Sequence, residues 1–383
     1  MAKILLNASL AASIPNFRGS LIGEMVRRGH EVHVSAPAIT AAEREQIVAL
    51  GATPHDLPLD RTGFGLASDL GYLRAMRALI RGLKPDRVLG YTVKPNIWGS
   101  IAARVEHIPA VSMVTGLGFL FAPGRGAAQS LIKWASRKLY GFALRSNIAV
   151  LFQNPDDLRD FQAGASFGDA ARVRMINGSG VDLAYYPPTP LPERPVFLMI
   201  ARLLGAKGVR EYAGAARLVT TACPDTRCLL VGMVDDGPDG VPEAEVLSLC
   251  EGAVEYLGQL QDVRPAIARA SVYVLPSYRE GTPRSSLEAM AMGRAVITTD
   301  APGCRETVVH GVNGLLVPVA DTQALADAMV RLAHDADLRA TMGAASLDRA
   351  RSRFAVDIVN AVIIDALALA APATELTGKQ AND

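Results

Sequence analysis

Strand-like and helix-like segments alternate along almost the whole chain, and one stretch interrupts them. Short apolar runs such as Lys3–Asn7 and Arg87–Tyr91 are separated by longer amphipathic segments such as Leu66–Leu83. Continuous apolar strands are typical of a parallel sheet that helices cover on both faces. The interruption, NGSGVDLAYYPPTPLPERP at residues 177–195, holds five prolines and shows no helical periodicity. The pattern therefore predicts two doubly wound α/β domains joined by one linker.

This linker sets the predicted domain boundaries. Residues 1–176 form the first domain and residues 196–350 the second, a division that suits a chain of 383 residues. Residues 351–371 are expected to form a helix that docks back on the first domain, and residues 372–383 a disordered tail. Two such domains create a cleft that faces the carboxyl ends of both sets of strands, where open parallel sheets bind ligands.

Charge is distributed unevenly between the two halves of the chain. The net charge is +1, yet residues 1–190 carry 21 Lys and Arg against 14 Asp and Glu, whereas the remainder carries 18 against 24. A basic half indicates an anionic partner, although two unequal halves that meet across a cleft would show the same split. Neither half is strongly basic or carries a stacking-aromatic motif, so we expect no nucleic-acid partner.

The signals for compartment favour the cytoplasm. The four cysteines form no Cys-x-x-Cys pair, which is typical of free thiols in a reducing compartment. The N-terminal MAKILLNASLAAS has one charge and an apolar run broken by Asn7, so we interpret it as a buried strand and loop rather than a signal peptide. No stretch of about 18 apolar residues lacks charges and Gly or Pro breakers, so no membrane span is expected.

The strongest local signal is LPSYREGTPRSSLEAMAMGRAVITT, at residues 275–299. An apolar strand reaches a loop in which Thr282 and Pro283 indicate a helix start, since Thr caps helices and Pro suits the first helical position. The following four amides would lack intrahelical partners and would point, with the positive end of the helix dipole, at the sheet edge. The segment therefore predicts a phosphate site, with donors from Arg284, Ser285, Ser286 and Leu287.

Two carboxylates and two cations surround this predicted phosphate site. A carboxylate binds sugar hydroxyls well but repels a phosphate. Glu288 is therefore expected to bind a ribose and Glu280 a second sugar. Arg202 and Lys207 follow the first strand of the second domain and reach the same sheet edge. Two cations there would neutralise a diphosphate and stabilise it as a leaving group. The alternative for all four is an ordinary surface charge, which the helix dipole would favour for the glutamates.

Several segments, in order over nearly the whole chain, carry a resemblance to a known family. They are GYTVKPNIWGSIAARV and TGLGFLF in the first domain, and IARLLGAKG, LLVG, VEYLGQLQDV, SYREGTPRSSLEAMAMGRAVITTDAPGCRE and VNGLLVPVAD in the second. With these segments the chain resembles the retaining family 4 glycosyltransferases of the GT-B fold, in the bacterial branch that builds lipid-linked or surface glycans from UDP-sugars. The resemblance implies two Rossmann-like domains that face each other across a cleft.

The resemblance also implies roles for individual residues. Arg202 and Lys207 would hold the donor diphosphate, Glu288 the nucleotide ribose and Glu280 the transferred sugar, while Gly232 would border the base. The diphosphate cradle would be completed by the backbone amides of Ser285, Ser286 and Leu287. The catalytic set would then be Glu280, Arg202 and Lys207, and the sugar would be transferred with retention of its anomeric configuration.

Contacts from the first domain depart from the family pattern. Where many relatives carry a Gly-Gly pair in the first loop, this chain has NASLAASIPNFR without glycine. Where close relatives place histidine in this loop or after the Arg87–Tyr91 strand, it has Asn16 and Lys94. We expect acceptor or first-domain contacts from Asn16, Arg18 and Lys94, and backbone contacts to the donor from Gly116 and Gly118, since glycine turns let amides approach a ligand closely.

The same resemblance implies the partners of the reaction. UDP is the expected donor nucleotide, an N-acetylhexosamine the expected sugar, and a polyprenyl-diphosphate-linked or other glycan the expected acceptor. Helix 127–144 interleaves Lys133, Arg137 and Lys138 with apolar residues. This pattern indicates either peripheral contact with anionic lipids at the inner face of the membrane or an ordinary helix with one buried face. The basic first half favours a lipid-linked acceptor, with the protein on the membrane surface and not within the membrane.

Other classes of protein fit the motifs less well. Asp-x-Asp, which metal-dependent transferases of another fold use, occurs only at Asp335–Asp337 near a helix end, so we expect no metal and no cofactor. A nicotinamide-dependent oxidoreductase would need Gly-x-Gly-x-x-Gly after a strand, and a glycoside hydrolase two carboxylates flanking the bond. A sugar-nucleotide epimerase and a non-catalytic nucleotide-sugar-binding subunit stay open as alternatives. Pure binding would not need Arg202 and Lys207 as a leaving-group clamp.

Overall fold

Two parallel sheets, one in each half of the chain, form the framework of the protein. A computed structural model describes residues 1–60, 65–117, 127–165 and 168–369. The expected tail at 372–383 and Gly118 therefore lie outside the described residues. The linker between the sheets, which follows Met175 and ends before Val196, contains no helix and no strand of either sheet.

The first sheet has seven strands, all parallel, in the order β3-β2-β1-β4-β5-β6-β7. Its strands are β1 (Lys3–Asn7), β2 (Glu31–Ala36), β3 (Ala52–Asp56), β4 (Arg87–Tyr91), β5 (Ala110–Val114), β6 (Ala149–Phe152) and β7 (Val173–Met175). Its helices are α1 (Ser13–Arg27), α2 (Ala41–Ala49), α3 (Leu66–Leu83), α4 (Val93–Val105), α5 (Ala127–Leu144) and α6 (Pro155–Gly164). The central strand is β1, in which Ile4 pairs with Val32 on one side and Arg87 on the other.

The second sheet has six parallel strands in the order β10-β9-β8-β11-β12-β13. They are β8 (Val196–Ile200), β9 (Arg227–Val231), β10 (Glu255–Tyr256), β11 (Val272–Leu275), β12 (Ala295–Thr299) and β13 (Gly314–Val317). The helices that follow β8 along the chain are α7 (Val209–Ala222), α8 (Glu243–Cys250), α9 (Arg264–Ala268), α10 (Arg284–Ala291), α11 (Thr322–His334), α12 (Ala336–Arg349) and α13 (Val356–Ala366), and the last of them packs on the first sheet. Both sheets thus reverse their strand order once, between β1 and β4 and between β8 and β11.

Apolar residues of the first sheet are buried on both of its faces. Ile4 and Leu6 of β1 belong to a core shared with α1 and α13, whereas Leu5 belongs to the core shared with α3 and α4. Alternate residues of a strand point to opposite faces, so helices must cover both sides of this sheet. The expectation of two doubly wound domains is therefore met in the observed topology.

The chain crosses between the two domains twice, and the crossings contact each other. The Val181 amide donates to the Phe354 carbonyl at 2.8 Å, and the Val356 amide donates to the Val181 carbonyl at 3.0 Å. Gly180 has a φ of +73°, and a Cβ there would lie 2.7 Å from the Val356 Cα. The crossing point therefore requires glycine. Beyond it, α13 packs on the first domain, where its Asn360 Nδ2 donates to Ser20 Oγ at 3.2 Å.

Two helices differ from their sequence-based expectation. Helix α1 begins at Ser13, within the segment NASLAASIPNFR that the sequence predicts to be the first loop, because a proline within the first helical turn, Pro15, is tolerated. In α5, Lys133 is buried rather than solvated, so it does not belong to a basic surface stripe. Lys138 on the same helix is exposed.

Candidate active site

The two points of strand reversal face each other across a cavity of about 440 Å³. Open parallel sheets bind ligands where the strand order reverses, since the loops there separate to opposite faces. In the first domain, the lining follows β1 and β4 and includes Ser13, Phe17, Arg18, Tyr91 and Thr92. In the second, it follows β8 and β11 and includes Arg202, Lys207, Glu280, Arg284 and Ser285.

An ion pair between Lys207 and Glu280 lies on the wall of the second domain. Lys207 ends a short 3-10 turn and is followed by Gly208, whose φ of +76° and close packing on the Pro276 carbonyl exclude any side chain. This turn directs Lys207 Nζ to within 2.5 Å of Glu280 Oε1. The Glu280 amide donates to the Pro302 carbonyl at 2.9 Å, which fixes the loop that carries the carboxylate. The predicted cation and the predicted sugar-binding carboxylate are thus neighbours.

Arg202 lies beside this pair and is more exposed. Its Nη1 atom is 3.1 Å from Asp235 Oδ2, and 61% of its side chain remains accessible. Arg202 also lines a smaller cavity of about 300 Å³, together with Gly116, Glu280 and Gly281. Gly116 has a φ of +124°, and the nearest atom to a Cβ there would be the Gly281 amide nitrogen at 3.8 Å. The structure therefore brings Arg202, Glu280 and Gly116 together.

The helix start beside the cavity differs in detail from the expectation. The N-cap is Pro283, not Thr282, and α10 begins at Arg284. The amides of Ser286 and Leu287 donate to the Pro283 carbonyl at 3.1 and 3.3 Å. The expectation that these amides are unpaired is therefore corrected, because the first turn closes on Pro283. The amides that remain for an anion at this turn are those of Arg284 and Ser285, whose residues line the cavity.

The two serine side chains of this turn are buried or already bonded. Ser285 Oγ donates to the Ile200 carbonyl at 3.0 Å and accepts from the Tyr273 hydroxyl at 2.5 Å. Ser286 Oγ is fully buried and has no hydrogen-bond partner within the described ranges. The Ser285 hydroxyl is therefore already hydrogen-bonded at the cavity wall, whereas Ser286 does not line the cavity.

Glu288 is buried behind Arg284. Arg284 Nε lies 2.8 Å from Glu288 Oε1, and Tyr186 also interacts with this carboxylate. Burial raises the pKa of Glu288, while Arg284 and Tyr186 act in the opposite direction. Arg284 also donates to the Asn16 carbonyl and lies over the Phe17 ring, with 5.2 Å between guanidinium carbon and ring centre. Arg284 thus connects the predicted ribose-binding glutamate to the first domain.

The other predicted residues occupy different positions. Lys94 pairs with Asp69 at 2.8 Å and does not line the cavity. Asn16 is exposed and meets the site through its backbone carbonyl. At Gly232, a Cβ would lie 2.0 Å from the Ala201 carbonyl oxygen, so this glycine is required for packing beside β8. Arg18 does line the cavity.

The sequence did not predict the residues that hold the two domains together. Arg279, one residue before Glu280, pairs with Asp157 at 2.5 Å and Asp160 at 2.6 Å on α6. Asn154 caps α6, and its Nδ2 donates to the Gly281 carbonyl at 2.8 Å. The Asn-Pro-Asp-Asp sequence that starts α6 is a helix-start signal and gives the only local hint of this contact.

Two family models match the chain. The model described as glycosyl transferase 4-like domain matches residues 16–178, and that described as glycosyl transferases group 1 matches residues 194–335. The chain belongs to the glycosyl transferases that combine these two domains. The predicted family is therefore confirmed, and each matched segment holds the strands of one sheet of this glycosyl transferase, except that β1 precedes the first segment.

Curated relatives align with most of the length of this glycosyl transferase. The N,N'-diacetylbacillosaminyl-diphospho-undecaprenol alpha-1,3-N-acetylgalactosaminyltransferase of Campylobacter jejuni is 26% identical over 86% of this chain and 88% of its own length. The UDP-Gal:alpha-D-GlcNAc-diphosphoundecaprenol alpha-1,3-galactosyltransferase of Escherichia coli is 26% identical over 70% and 72%. Anabaena HepE, solved with UDP and glucose, aligns over 96% of this chain and 100% of its own with a TM-score of 0.76 and 21% identity. This likeness confirms the two-domain GT-B fold.

The described part of the chain shows neither a metal-binding cluster nor a helix that could span a membrane. It contains no group of three or more His, Cys, Asp or Glu side chains arranged to hold a metal ion. Asp335, of the Asp-x-Asp sequence, instead caps α12 by accepting from the Leu338 amide at 2.8 Å. None of the helices in the described ranges combines the length and apolarity needed to cross a bilayer.

Proposed function

We propose that this glycosyl transferase moves an N-acetylhexosamine from a UDP-sugar to a lipid-linked glycan, with retention of configuration and without a metal. The observation that carries the proposal is the Lys207–Glu280 pair beside Arg202, on the cavity wall at the strand reversal of the second sheet. It combines cations for a diphosphate with a carboxylate for a sugar, at one edge of one sheet.

The donor would lie along the wall of the second domain. Lys207, Arg202 and the amides of Arg284 and Ser285 suit the diphosphate, because charged donors and a helix start both favour anions. Glu280 suits a hydroxyl of the transferred sugar. Glu288 suits the ribose, whose hydroxyls would replace Arg284 on its carboxylate. Arg284 would then be available to bind the diphosphate.

The chemical step exchanges one bond at the anomeric carbon for another. The bond from that carbon to the β-phosphate oxygen breaks, and a bond to the acceptor oxygen forms on the same face. The proton of the acceptor hydroxyl passes to the departing phosphate oxygen. Charge that develops on the diphosphate is stabilised by Lys207 and Arg202, which are in place before the reaction.

The proposed sugar and acceptor of this enzyme rest on its similarity to two relatives. The Campylobacter relative is named for N-acetylgalactosamine and the Escherichia relative for galactose from UDP-Gal. Both are named for acceptors carried on a diphosphate-linked undecaprenol. A UDP-sugar of the hexose or N-acetylhexosamine class and a polyprenyl-diphosphate-linked glycan are therefore the substrates to test first.

Binding of UDP is expected to raise the melting temperature of the protein. A ligand at 100 times its Kd stabilises the folded state by about 2.7 kcal/mol. Differential scanning fluorimetry with UDP, GDP, UDP-sugars and nicotinamide dinucleotides, with and without Mg²⁺ or Mn²⁺, measures this shift. We expect a response to UDP and its sugars that metal does not alter. A response only to nicotinamide dinucleotides, or none at all, would rule out the proposed donor.

We also propose that α5 contacts an anionic membrane surface. Leu131, Trp134, Lys138 and Phe142 follow the spacing of one helix face and are exposed, Trp134 by 53%. The guanidinium of Arg104 lies over the Phe142 ring at 5.3 Å. An exposed apolar face with basic neighbours suits the head-group region of a bilayer that contains anionic lipids. This contact would hold the enzyme at the cytoplasmic face, beside a lipid-linked acceptor.

Replacing Leu131 and Trp134 by glutamate is expected to lower binding to anionic vesicles more than tenfold. Each apolar side chain contributes about 1.5 kcal/mol or more when buried, and the new charges are repelled. Co-sedimentation with phosphatidylglycerol vesicles measures the effect. The matched control replaces two exposed leucines of the second domain, Leu218 and Leu247, by glutamate. Equal loss in both variants would refute a specific role of α5.

A further inference from the structure

The basic side chains in the cavity differ in whether a carboxylate pairs with them. Of the described residues, four basic side chains line the cavity. Three of them, all in the second domain, form an ion pair with a carboxylate: Lys207 with Glu280, Arg202 with Asp235 and Arg284 with Glu288. The fourth, Arg18 of α1, forms no ion pair with a carboxylate in the described part of the chain. The wall of the first domain thus carries an uncompensated positive charge.

Arg18 is also the most deeply buried of these cations. Only 3% of the residue is accessible, and its Nε atom is buried without a hydrogen-bond partner in the described ranges. Nη1 donates to the Phe17 carbonyl at 3.3 Å, and the guanidinium carbon lies 5.1 Å from the centre of the Tyr91 ring. Burial lowers the pKa of Arg18; Tyr91 opposes this and the charge of Arg284 adds to it.

An unpaired buried guanidinium destabilises a folded protein, because its desolvation is not offset by a partner. The free Nε and the position on the cavity wall together indicate that a ligand supplies the missing anion. Thr92, which lines the same wall, immediately precedes α4. The positive end of this helix adds to the local potential.

We propose that Arg18 binds the diphosphate of the lipid-linked acceptor, an assignment that rests on the function proposed above. The donor diphosphate belongs to the opposite wall, where Lys207 and Arg202 lie. Arg18 projects from the first domain, so its anion comes from the second substrate. Charge-assisted bonds from a guanidinium to a phosphate are strong and directional. They would set the distance between the acceptor diphosphate and the hydroxyl that attacks the sugar.

The test uses inorganic pyrophosphate as the probe, with UDP present at saturation to occupy the donor site. Isothermal titration compares the wild type with Arg18→Met, which keeps a long apolar stem without charge. We expect pyrophosphate affinity to fall about 10- to 100-fold, as for loss of a hydrogen bond to a charged group. UDP affinity, measured alone, should stay nearly unchanged. Arg27→Met, which removes an exposed charge from the far end of the same helix, should alter neither.

Three results would overturn the assignment. Pyrophosphate affinity that is equal in wild type and variant would mean that Arg18 binds no anion. Equal losses for UDP and pyrophosphate would place Arg18 in the donor site. Absence of pyrophosphate binding to the UDP-loaded wild type would mean that there is no second anion site. Failure of the wild type to bind UDP would instead refute the proposed donor.

The stability of the variant separates binding from a structural role. Since Arg18→Met removes an unpaired buried charge, the melting temperature without ligand is expected to be unchanged or higher. A marked decrease, together with unchanged pyrophosphate affinity, would mean that Arg18 serves packing on Tyr91 alone. If Arg18→Met does not fold, Arg18→Gln retains a donor for the Phe17 carbonyl and is expected to show the same loss of pyrophosphate affinity.

Discussion

Replacing Lys207 by alanine is expected to lower the rate of sugar transfer about 10²- to 10³-fold, the size of effect seen when one preorganised donor to a developing negative charge is removed. Lys207 Nζ is held by Glu280 on the cavity wall before any substrate binds. Its charge should therefore stabilise the departing diphosphate more than the bound donor. UDP affinity should fall much less than turnover. Steady-state kinetics with a UDP-sugar, together with titration of UDP, measures both quantities.

The controls for Lys207 separate charge from position. Lys207→Arg keeps the charge and should retain more activity than the alanine variant. Arg210→Ala removes a cation three residues further on, which pairs with Glu245 at 2.6 Å on the exposed side, and should leave transfer unchanged. Equal losses of turnover and UDP affinity in Lys207→Ala would mean that Lys207 only binds the nucleotide.

The alternation of strands and helices was sufficient to predict the two sheets and their connection. Elements that bury few apolar residues were not predicted, because apolar periodicity is the main signal in a sequence. Helix α2 buries only Ile47, and the edge strand β3, ATPHD, is mostly polar and only partly buried. Both are held by tertiary contacts: the Ile39 amide, for example, donates to Asp56 at 3.0 Å.

Residues that follow a strand were easier to place than residues whose partners are distant in sequence. Arg202, Lys207 and Glu280 follow β8 and β11, which are neighbours in the sheet, so the structure brings them together. Lys94 also follows a strand, yet Asp69 on α3 binds it instead. No local pattern shows such a pairing. The same reason explains why Arg284, which joins Glu288 to the first domain, was not predicted as a contact between domains.

Glu280→Gln is expected to lower the rate of sugar transfer about 10²-fold and to leave UDP affinity nearly unchanged. A displacement of the reacting groups by about 1 Å has an effect of this size on the rate. The substitution preserves the shape of the side chain but removes the charge that holds Lys207 at 2.5 Å and that would bind a sugar hydroxyl. UDP lacks the transferred sugar, so it should not sense the loss of that contact. Transfer from a UDP-sugar and titration of UDP are measured on the same preparation.

Glu288→Gln provides the contrast that makes the Glu280 result interpretable. Glu288 is buried with Arg284 and is proposed to bind the ribose, so its substitution should weaken UDP and UDP-sugar alike. Glu245→Gln, on the exposed surface of α8, should affect neither step. A Glu280 variant with wild-type turnover would remove this carboxylate from the site. One that loses UDP affinity as Glu288→Gln does would place it at the nucleotide rather than at the sugar, and the two carboxylates would then share one role.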